Sequence, residues 1–296
     1  MRSDLRLPSA IYDFLTMLLL LAIGLKGGVE LSRQPISTLA PQMFAVVAMG
    51  LLLPLLAYPL LHYAGKLARA DAASIAAHYG SVSVGTYAVV AAYLSSRNIA
   101  YEEYMPLFLV LLEMPAIIVG ILLARGGGSP QKWGLLAREI IMGKGVVLLT
   151  GGVLIGWIAG AEGVQPIGAL FFDLFKGILA LFLLEMGLIA VSQLGDLRRC
   201  GLFLAGFAIV FPLLSALIGG SLGWLLGLSA GGTVVLATLA ASASYIAVPA
   251  AMRMAVPQAR PSLSLAAALG VTFPFNILVG IPLYHATVRQ LYPDGA

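Results

Sequence analysis

The chain has 296 residues, of which 60% are hydrophobic and 10% are charged, and its net charge is +4. Soluble domains carry roughly 25% charged residues, so the composition excludes a soluble fold, and the small, scattered positive charge argues against nucleic-acid binding. A single cysteine, Cys200, excludes a disulfide scaffold. The composition predicts a polytopic helical membrane protein, in which spans of roughly 20 residues plus short loops allow at most about ten crossings.

Nine apolar stretches follow one another along the chain, and they predict an all-α fold with about nine transmembrane helices. The stretches cover approximately 8–31, 36–64, 72–95, 104–125, 140–161, 166–194, 201–227, 230–252 and 262–288. We expect a first unit of four helices at 1–125, a short cytoplasmic linker at 126–139 and a second unit of five helices at 140–296.

The Lys and Arg residues of the predicted loops are distributed unevenly between the two sides of the membrane. Eleven lie on the side of the N-terminus, and three, Arg33, Arg97 and Arg289, lie on the other side. Because cytoplasmic loops are enriched in positive charge, we expect the N-terminus in the cytoplasm and, with an odd number of helices, the C-terminus outside.

Three segments of the first half recur in the same order in the second half, which indicates an internal repeat. The pairs are 23–31 with 186–194, 80–83 with 241–244, and 114–119 with 273–278, at offsets of 163, 161 and 159 residues. The copies begin five helices apart and so cross the membrane in opposite directions, which is typical of secondary transporters. A trivial likeness between apolar helices is the alternative.

The stretches 72–95 and 230–252 each carry small and hydroxyl-bearing residues near the middle, followed by Gly85 or Pro249. Proline suits the first turn of a new helix, and glycine permits close approach of backbone or ligand. We therefore predict two discontinuous helices, each with a short unwound segment between two half-helices. Small and hydroxyl-bearing residues also mediate tight helix packing, so packing alone is the alternative explanation.

An unwound segment of this kind offers groups that can bind an anion and groups that can bind a cation. Amides at a half-helix N-terminus suit a small anion, whereas freed carbonyls and hydroxyls suit Na+. Neither break contains Asp, Glu, Lys or Arg, which favours a monovalent anion balanced by a monovalent cation. Glu113 lies in the next stretch, where a carboxylate either helps to bind the cation or has a structural role.

The sequence contains no transition-metal cluster, phosphate loop or nucleophile motif, so we expect no covalent cofactor and no enzymatic activity. The alternatives that remain are a carrier of another small monovalent anion or carboxylate, a non-transporting membrane protein, and an intramembrane enzyme that uses Ser83 or Ser244 with His78.

Several short motifs along the chain resemble a known family. They are GSVS at 80–83, MPA at 114–116, MG at 186–187, GDLR at 195–198, ASASYIAVPAAMR at 241–253, TFPFN at 272–276 and GIPLY at 280–284. In this order they resemble the sodium-dependent bicarbonate transporter family of cyanobacteria and other bacteria, over almost the whole chain.

The resemblance implies an inverted-repeat transporter with core and gate domains, in which two discontinuous helices cross. It implies a homotrimer with an elevator-like motion, Na+-coupled uptake of bicarbonate across the bacterial cytoplasmic membrane, and in some members inhibition by a PII-like protein.

The resemblance and the residue types together predict that the two breaks form the binding region. We expect the anion at Gly80, Ser83, Gly85, Thr86, Ser242 and Ser244. We expect Na+, the coupling ion, at Ser81, Val82, Ala241, Ser244 and Glu113.

This chain also departs from the family pattern. The family has ten helices and the sequence predicts nine, with the first one absent. The linker is short compared with well-known members, which weakens the inference of regulation through it. Tyr245 stands where those members carry an acidic residue, which puts the Na+ site in question.

Overall fold

The computed structural model describes residues 8–33, 36–126, 138 and 142–292, and it describes side chains for these except at 9, 36, 38 and 191–200. The predicted linker at 126–139, apart from Gly126 and Arg138, and the side chains of the 195–198 motif therefore lie outside the described residues. The described backbone forms helices and short connections without a strand, as the sequence predicts.

Many of the helices continue into one another through short or irregular turns. In chain order they are α1 (Ser9–Arg33), α2 (Ile36–Pro59), α3 (Arg69–Gly80), α4 (Val84–Ser96), α5 (Met105–Glu113), α6 (Pro115–Arg125), α7 (Lys144–Val164), α8 (Phe175–Leu225), α9 (Ala230–Ala241), α10 (Ala247–Ala255), α11 (Pro261–Ala267), α12 (Phe273–Phe275) and α13 (Ile281–Leu291). The 51-residue α8 bends at Gly201, where φ is 77°. The π-helical turns Ala268–Thr272 and Asn276–Gly280 join α11, α12 and α13.

Six helical segments of the described residues are long and apolar enough to cross a membrane. They are Ala10–Arg33, Leu39–Ala64, Met105–Arg125, Lys144–Ile167, Gly201–Leu225 and Pro261–Leu291. The predicted stretches 72–95 and 230–252 are missing from this set because each is divided into two short helices. The predicted stretch 166–194 is divided between two short turns and the start of α8.

Large apolar side chains are exposed along several of these helices. Phe44, Ile158 and Leu202 are 78%, 82% and 91% exposed. Such surfaces would be unstable in water over so many turns, whereas lipid tails are as apolar as the side chains themselves. The exposed faces therefore fit a protein surrounded by lipid.

Helices α1 and α7 pack backbone to backbone through glycines spaced four residues apart. A Cβ added to Gly152 would lie 3.0 Å from the Gly24 Cα, and a Cβ at Gly28 would meet the Val153 carbonyl. The contacts advance along both helices in the same direction, so α1 and α7 run parallel. Small residues at this spacing allow the close approach of membrane helices.

A buried carboxylate fixes the beginning of α3. Asp71 is 3% exposed, and it accepts hydrogen bonds from the Arg260 backbone amide at 2.7 Å and from Arg260 Nη2 at 2.6 Å. The bond joins the first turn of α3 to the residue that precedes α11. It holds α3, and with it the first break, against the C-terminal helical segment.

We predict that the close packing of α1 on α7 tolerates no side chain at Gly152. Gly152→Val should lower the free energy of unfolding by about 1–3 kcal/mol, because the new methyl groups force the two backbones apart. Thermal unfolding of the purified protein in detergent measures the effect. Gly151→Val is the matched control, since a Cβ at Gly151 meets nothing within 4 Å. Equal unfolding temperatures for the two variants would contradict the described packing.

Candidate functional site at the two helix breaks

The first break separates α3 from α4 by three non-helical residues. Helix α3 ends at Gly80, and Ser81 has φ −94° and ψ 174°. Helix α4 begins at Val84, and the Ser83 hydroxyl caps it by accepting hydrogen bonds from the Thr86 amide at 3.1 Å and from Thr86 Oγ1 at 3.0 Å. A serine in this position satisfies one of the orphan amides of a helix N-terminus. The predicted half-helix is therefore present and properly capped.

The second break separates α9 from α10 by five residues, Ser242 to Ile246. Helix α9 ends at Ala241, and Ser242, with φ −79° and ψ 164°, has nearly the backbone conformation of Ser81. Pro249 lies in the first turn of α10, where its missing amide hydrogen costs nothing. The two helices thus end at positions that differ by the 161-residue offset of the sequence repeat, but the second break is two residues longer.

The two breaks contact each other through backbone and side-chain hydrogen bonds. The Ser83 amide donates to Ser242 Oγ at 3.0 Å, and the Ser244 amide donates to the His78 carbonyl at 2.8 Å. His78 Nδ1 contacts the Ser244 carbonyl at 2.6 Å. Residue numbers rise on one segment as they fall on the other, so the breaks cross in antiparallel directions.

His78 has a structural position in this crossing. A carbonyl only accepts hydrogen bonds, so Nδ1 carries the proton that it donates to Ser244, and Nε2 has no partner. The ring therefore bonds a serine carbonyl rather than a serine hydroxyl, which does not match the nucleophile and base pair of an intramembrane enzyme. The sequence offered no signal for this contact, because the partners are 166 residues apart.

Asn276 supports the second break from the C-terminal segment. Its Nδ2 donates to the Ala241 carbonyl at 2.9 Å, and its Oδ1 accepts from the Tyr284 hydroxyl at 2.8 Å. Asn276 is fully buried. The last carbonyl of α9 would otherwise have no partner in the helix, so Asn276 satisfies a group that the break itself exposes.

All the residues predicted to bind substrate or Na+ are buried, but they do not all face the same point. Ser83, Thr86 and Ser242 lie at the crossing of the breaks, and the Ser244 backbone takes part in it. Ser81 is directed elsewhere, because its hydroxyl donates to the Glu113 carbonyl at 3.2 Å. Glu113 ends α5 and is 5% exposed, with no hydrogen-bond partner for its Oε2.

Glycine is required at Gly80 and Gly85 by neighbouring side chains. A Cβ at Gly80 would meet Pro54 and Ala116, and a Cβ at Gly85 would meet the Tyr245 hydroxyl and the Phe182 ring. The sequence predicts a close approach at Gly85, and the group that approaches is the Tyr245 hydroxyl group of the second break.

A cavity of about 480 Å³ lies between α1, α4 and the beginning of α8. Its wall includes Tyr87 in the first turn of α4 and Ser95 near the end of the same helix. At 1.5 Å per helical residue, the cavity follows α4 for about 12 Å and stops one turn from the break. Lys26 and Lys176 line it together with the Arg33–Glu30 ion pair.

We predict that the His78 contact stabilises the crossing of the breaks. His78→Leu should lower the free energy of unfolding by about 1–3 kcal/mol, since it leaves the buried Ser244 carbonyl without that donor, and His78→Asn should recover part of the loss. Thermal unfolding in detergent measures both. His62→Leu is the control, because His62 makes a similar carbonyl contact, to Leu67 at 3.0 Å, in a part-buried position. Equal losses for His62→Leu and His78→Leu would contradict a special role for the crossing.

Comparison with known proteins assigns the chain to a family. The family model described as the Na+-dependent bicarbonate transporter superfamily matches residues 1–289. The comparison with curated proteins finds no match. The match spans nearly the whole chain, and it confirms the resemblance inferred from the sequence motifs. With the six apolar spans, it establishes that this chain is a membrane protein that belongs to the Na+-dependent bicarbonate transporter superfamily.

Proposed function

We propose that this protein takes up bicarbonate across the bacterial cytoplasmic membrane together with Na+, and that it holds both ions between the two helix breaks. The observation that carries the proposal is the direct contact between the breaks in a chain of this family. Irregular backbone at membrane depth is tolerated where it is buried in protein or lines a cavity, and in transporters it commonly binds the substrate.

The N-terminus of α4 supports the anion half of the proposal. Thr86 donates its amide to the Ser83 cap, whereas the amides of Val84 and Gly85 have no partner among the described hydrogen bonds. These free amides and the helix dipole favour a negative charge. Gly80, Ser242 and Ser244 complete the proposed anion site from the ends of α3 and α9.

Carbonyl and carboxylate oxygens support the Na+ half. The proposed ligands are the oxygens of Ser81, Val82, Ala241, Ser244 and Glu113. The buried, unpartnered Glu113 Oε2 is the strongest of these observations, because such an oxygen is costly unless a cation or proton neutralises it. The Ala241 carbonyl already accepts from Asn276 and retains a second lone pair for an ion.

The direction of the chain supports an inverted-repeat mechanism. The breaks cross in antiparallel directions, as two halves of opposite orientation would. We propose that units 1–125 and 140–296 form the two repeats, with the N-terminus in the cytoplasm and the C-terminus outside. The cavity beside α4 then opens outward as the entry route. The core and gate domains, the homotrimer, the elevator-like motion and a PII-like regulator remain proposals from the family resemblance.

We predict that proteoliposomes containing the purified protein accumulate radiolabelled bicarbonate when a Na+ gradient is present, and do not when choline replaces Na+. Ser83→Ala and Ser244→Ala should lower the uptake rate at least several-fold, because both hydroxyl groups belong to the proposed anion site, while the variants still assemble. Uptake that ignores Na+ would refute the coupling, and normal uptake by both variants would place the site elsewhere. Competition by unlabelled acetate or nitrate tests the alternative small anions.

We predict that Glu113→Gln raises the Na+ concentration needed for half-maximal uptake by roughly tenfold or more, because a neutral amide attracts the cation less strongly than a carboxylate does. The concentration of bicarbonate for half-maximal uptake, measured at saturating Na+, should change much less. Glu103→Gln is the control, since Glu103 is exposed at the rim of the outer cavity. An unchanged Na+ dependence in Glu113→Gln would exclude Glu113 from the cation site.

A further inference from the structure

The second break contains a buried hydroxyl group without a hydrogen bond. Tyr245 is 8% exposed, and its ring packs edge-on against Phe273 at a centroid distance of 5.4 Å and an interplanar angle of 77°. Its hydroxyl oxygen is buried and has no hydrogen-bond partner in the described part of the chain. Buried hydroxyl groups are nearly always bonded, so one that is not points to a missing partner.

The Tyr245 hydroxyl group lies next to the N-terminus of α4. A Cβ added to Gly85 would meet the Tyr245 oxygen, so the hydroxyl group lies against the first turn of α4. The Ser83 side chain, the cap of the same turn, also lies near it. The phenol therefore faces the N-terminus of α4, where the amides of Val84 and Gly85 are also unpaired.

The nearby hydroxyl groups are already engaged within the protein. Ser242 Oγ accepts from the Ser83 amide and donates to the Leu239 carbonyl at 2.8 Å. Ser83 Oγ accepts two hydrogen bonds from Thr86, so it has no lone pair left to accept one from Tyr245. The Tyr245 hydroxyl group therefore keeps its proton free to donate. This proton and the amides of Val84 and Gly85 face one another across the two breaks, without a fixed charge on any of the three residues.

We infer that the Tyr245 hydroxyl group and the amides of Val84 and Gly85 form a three-donor site for a small, flat, singly charged oxyanion. Three donors can bond the charged oxygens of bicarbonate, nitrate or formate, because each such oxygen accepts up to two hydrogen bonds. A tetrahedral dianion has more acceptor oxygens and more charge than three donors can satisfy. Chloride has no oxygens that separate donors could bond. This inference rests on the proposed function, for which it names the specificity-determining side chain.

We predict that Tyr245→Phe raises the bicarbonate concentration for half-maximal uptake by roughly 10- to 100-fold, the loss expected for one hydrogen bond to a charged group. The Na+ concentration for half-maximal uptake should stay within about twofold, since the hydroxyl group serves the anion. The purified variant without ligand should unfold at the same temperature as the wild type or higher, because the substitution removes an unsatisfied buried group.

Tyr79→Phe is the matched control. Tyr79 is also buried, at 1% exposed, but its hydroxyl group is bonded to Thr272 Oγ1 at 2.7 Å, away from the N-terminus of α4. This variant should lose thermal stability and keep the wild-type bicarbonate dependence. A merely structural Tyr245 would behave like Tyr79, with a lower unfolding temperature and unchanged half-saturation, and that result would overturn the inference.

A binding measurement separates the inference from the proposed function. In Na+-containing detergent solution, bicarbonate, nitrate and formate should each raise the unfolding temperature of the wild type and of Tyr79→Phe, but not that of Tyr245→Phe, and chloride should have little effect. If bicarbonate uptake fails while these shifts depend on Tyr245, the inference stands and the proposed transport function is wrong. If Tyr245→Phe binds and transports as the wild type does, the inference is wrong and the proposed function stands.

Discussion

Inside the hydrocarbon of a bilayer, an amide or carbonyl group finds no water, so every interruption of a helix must supply partners for the groups it exposes. The two interrupted helices of this protein solve the problem together. The Ser244 amide bonds the His78 carbonyl, the Ser83 amide bonds the Ser242 hydroxyl group, and His78 returns a hydrogen bond to the Ser244 carbonyl. Neither break would satisfy its backbone at this depth without the other.

The same constraint explains which groups remain for function. The carbonyl at the end of α9 is satisfied by Asn276, and one amide at the start of α4 is satisfied by the Ser83 cap. The groups that are left over around the breaks are the first two amides of α4, the Tyr245 hydroxyl group, His78 Nε2 and one oxygen of Glu113. The three donors suit an anion and the Glu113 oxygen suits a cation, which is the pattern expected for an anion carried together with a cation.

Local sequence signals predicted the positions of the breaks well, because the breaks depend on local chemistry. Small and hydroxyl-bearing residues end α3 at Gly80 and α9 at Ala241, and Pro249 lies in the first turn of the new half-helix. The family also followed from short motifs in the correct order. Six of the nine predicted stretches are long apolar helices in the described residues, and 72–95 and 230–252 are interrupted as their small residues, glycine and proline predict.

The partners across the breaks could not be read from the sequence. His78 and Ser244 are 166 residues apart, and Asn276 reaches a carbonyl 35 residues away. These contacts depend on how α3, α9 and the C-terminal segment pack, and packing is decided by shape over the whole chain. The direction of the Tyr245 side chain could not be predicted either. The sequence shows a tyrosine in the break, but the contact of its hydroxyl group with α4 depends on the fold.

The central claim is that the anion binds at the crossing of the two breaks, on the donors at the start of α4. The most direct measurement is an experimental structure of the protein in lipid with Na+ and bicarbonate at saturating concentration. The account predicts density for a flat anion within hydrogen-bonding distance of the Val84 and Gly85 amides and the Tyr245 hydroxyl group. Density for the anion only in the outer cavity, beside Lys26 and Lys176 and with the breaks closed, would contradict it.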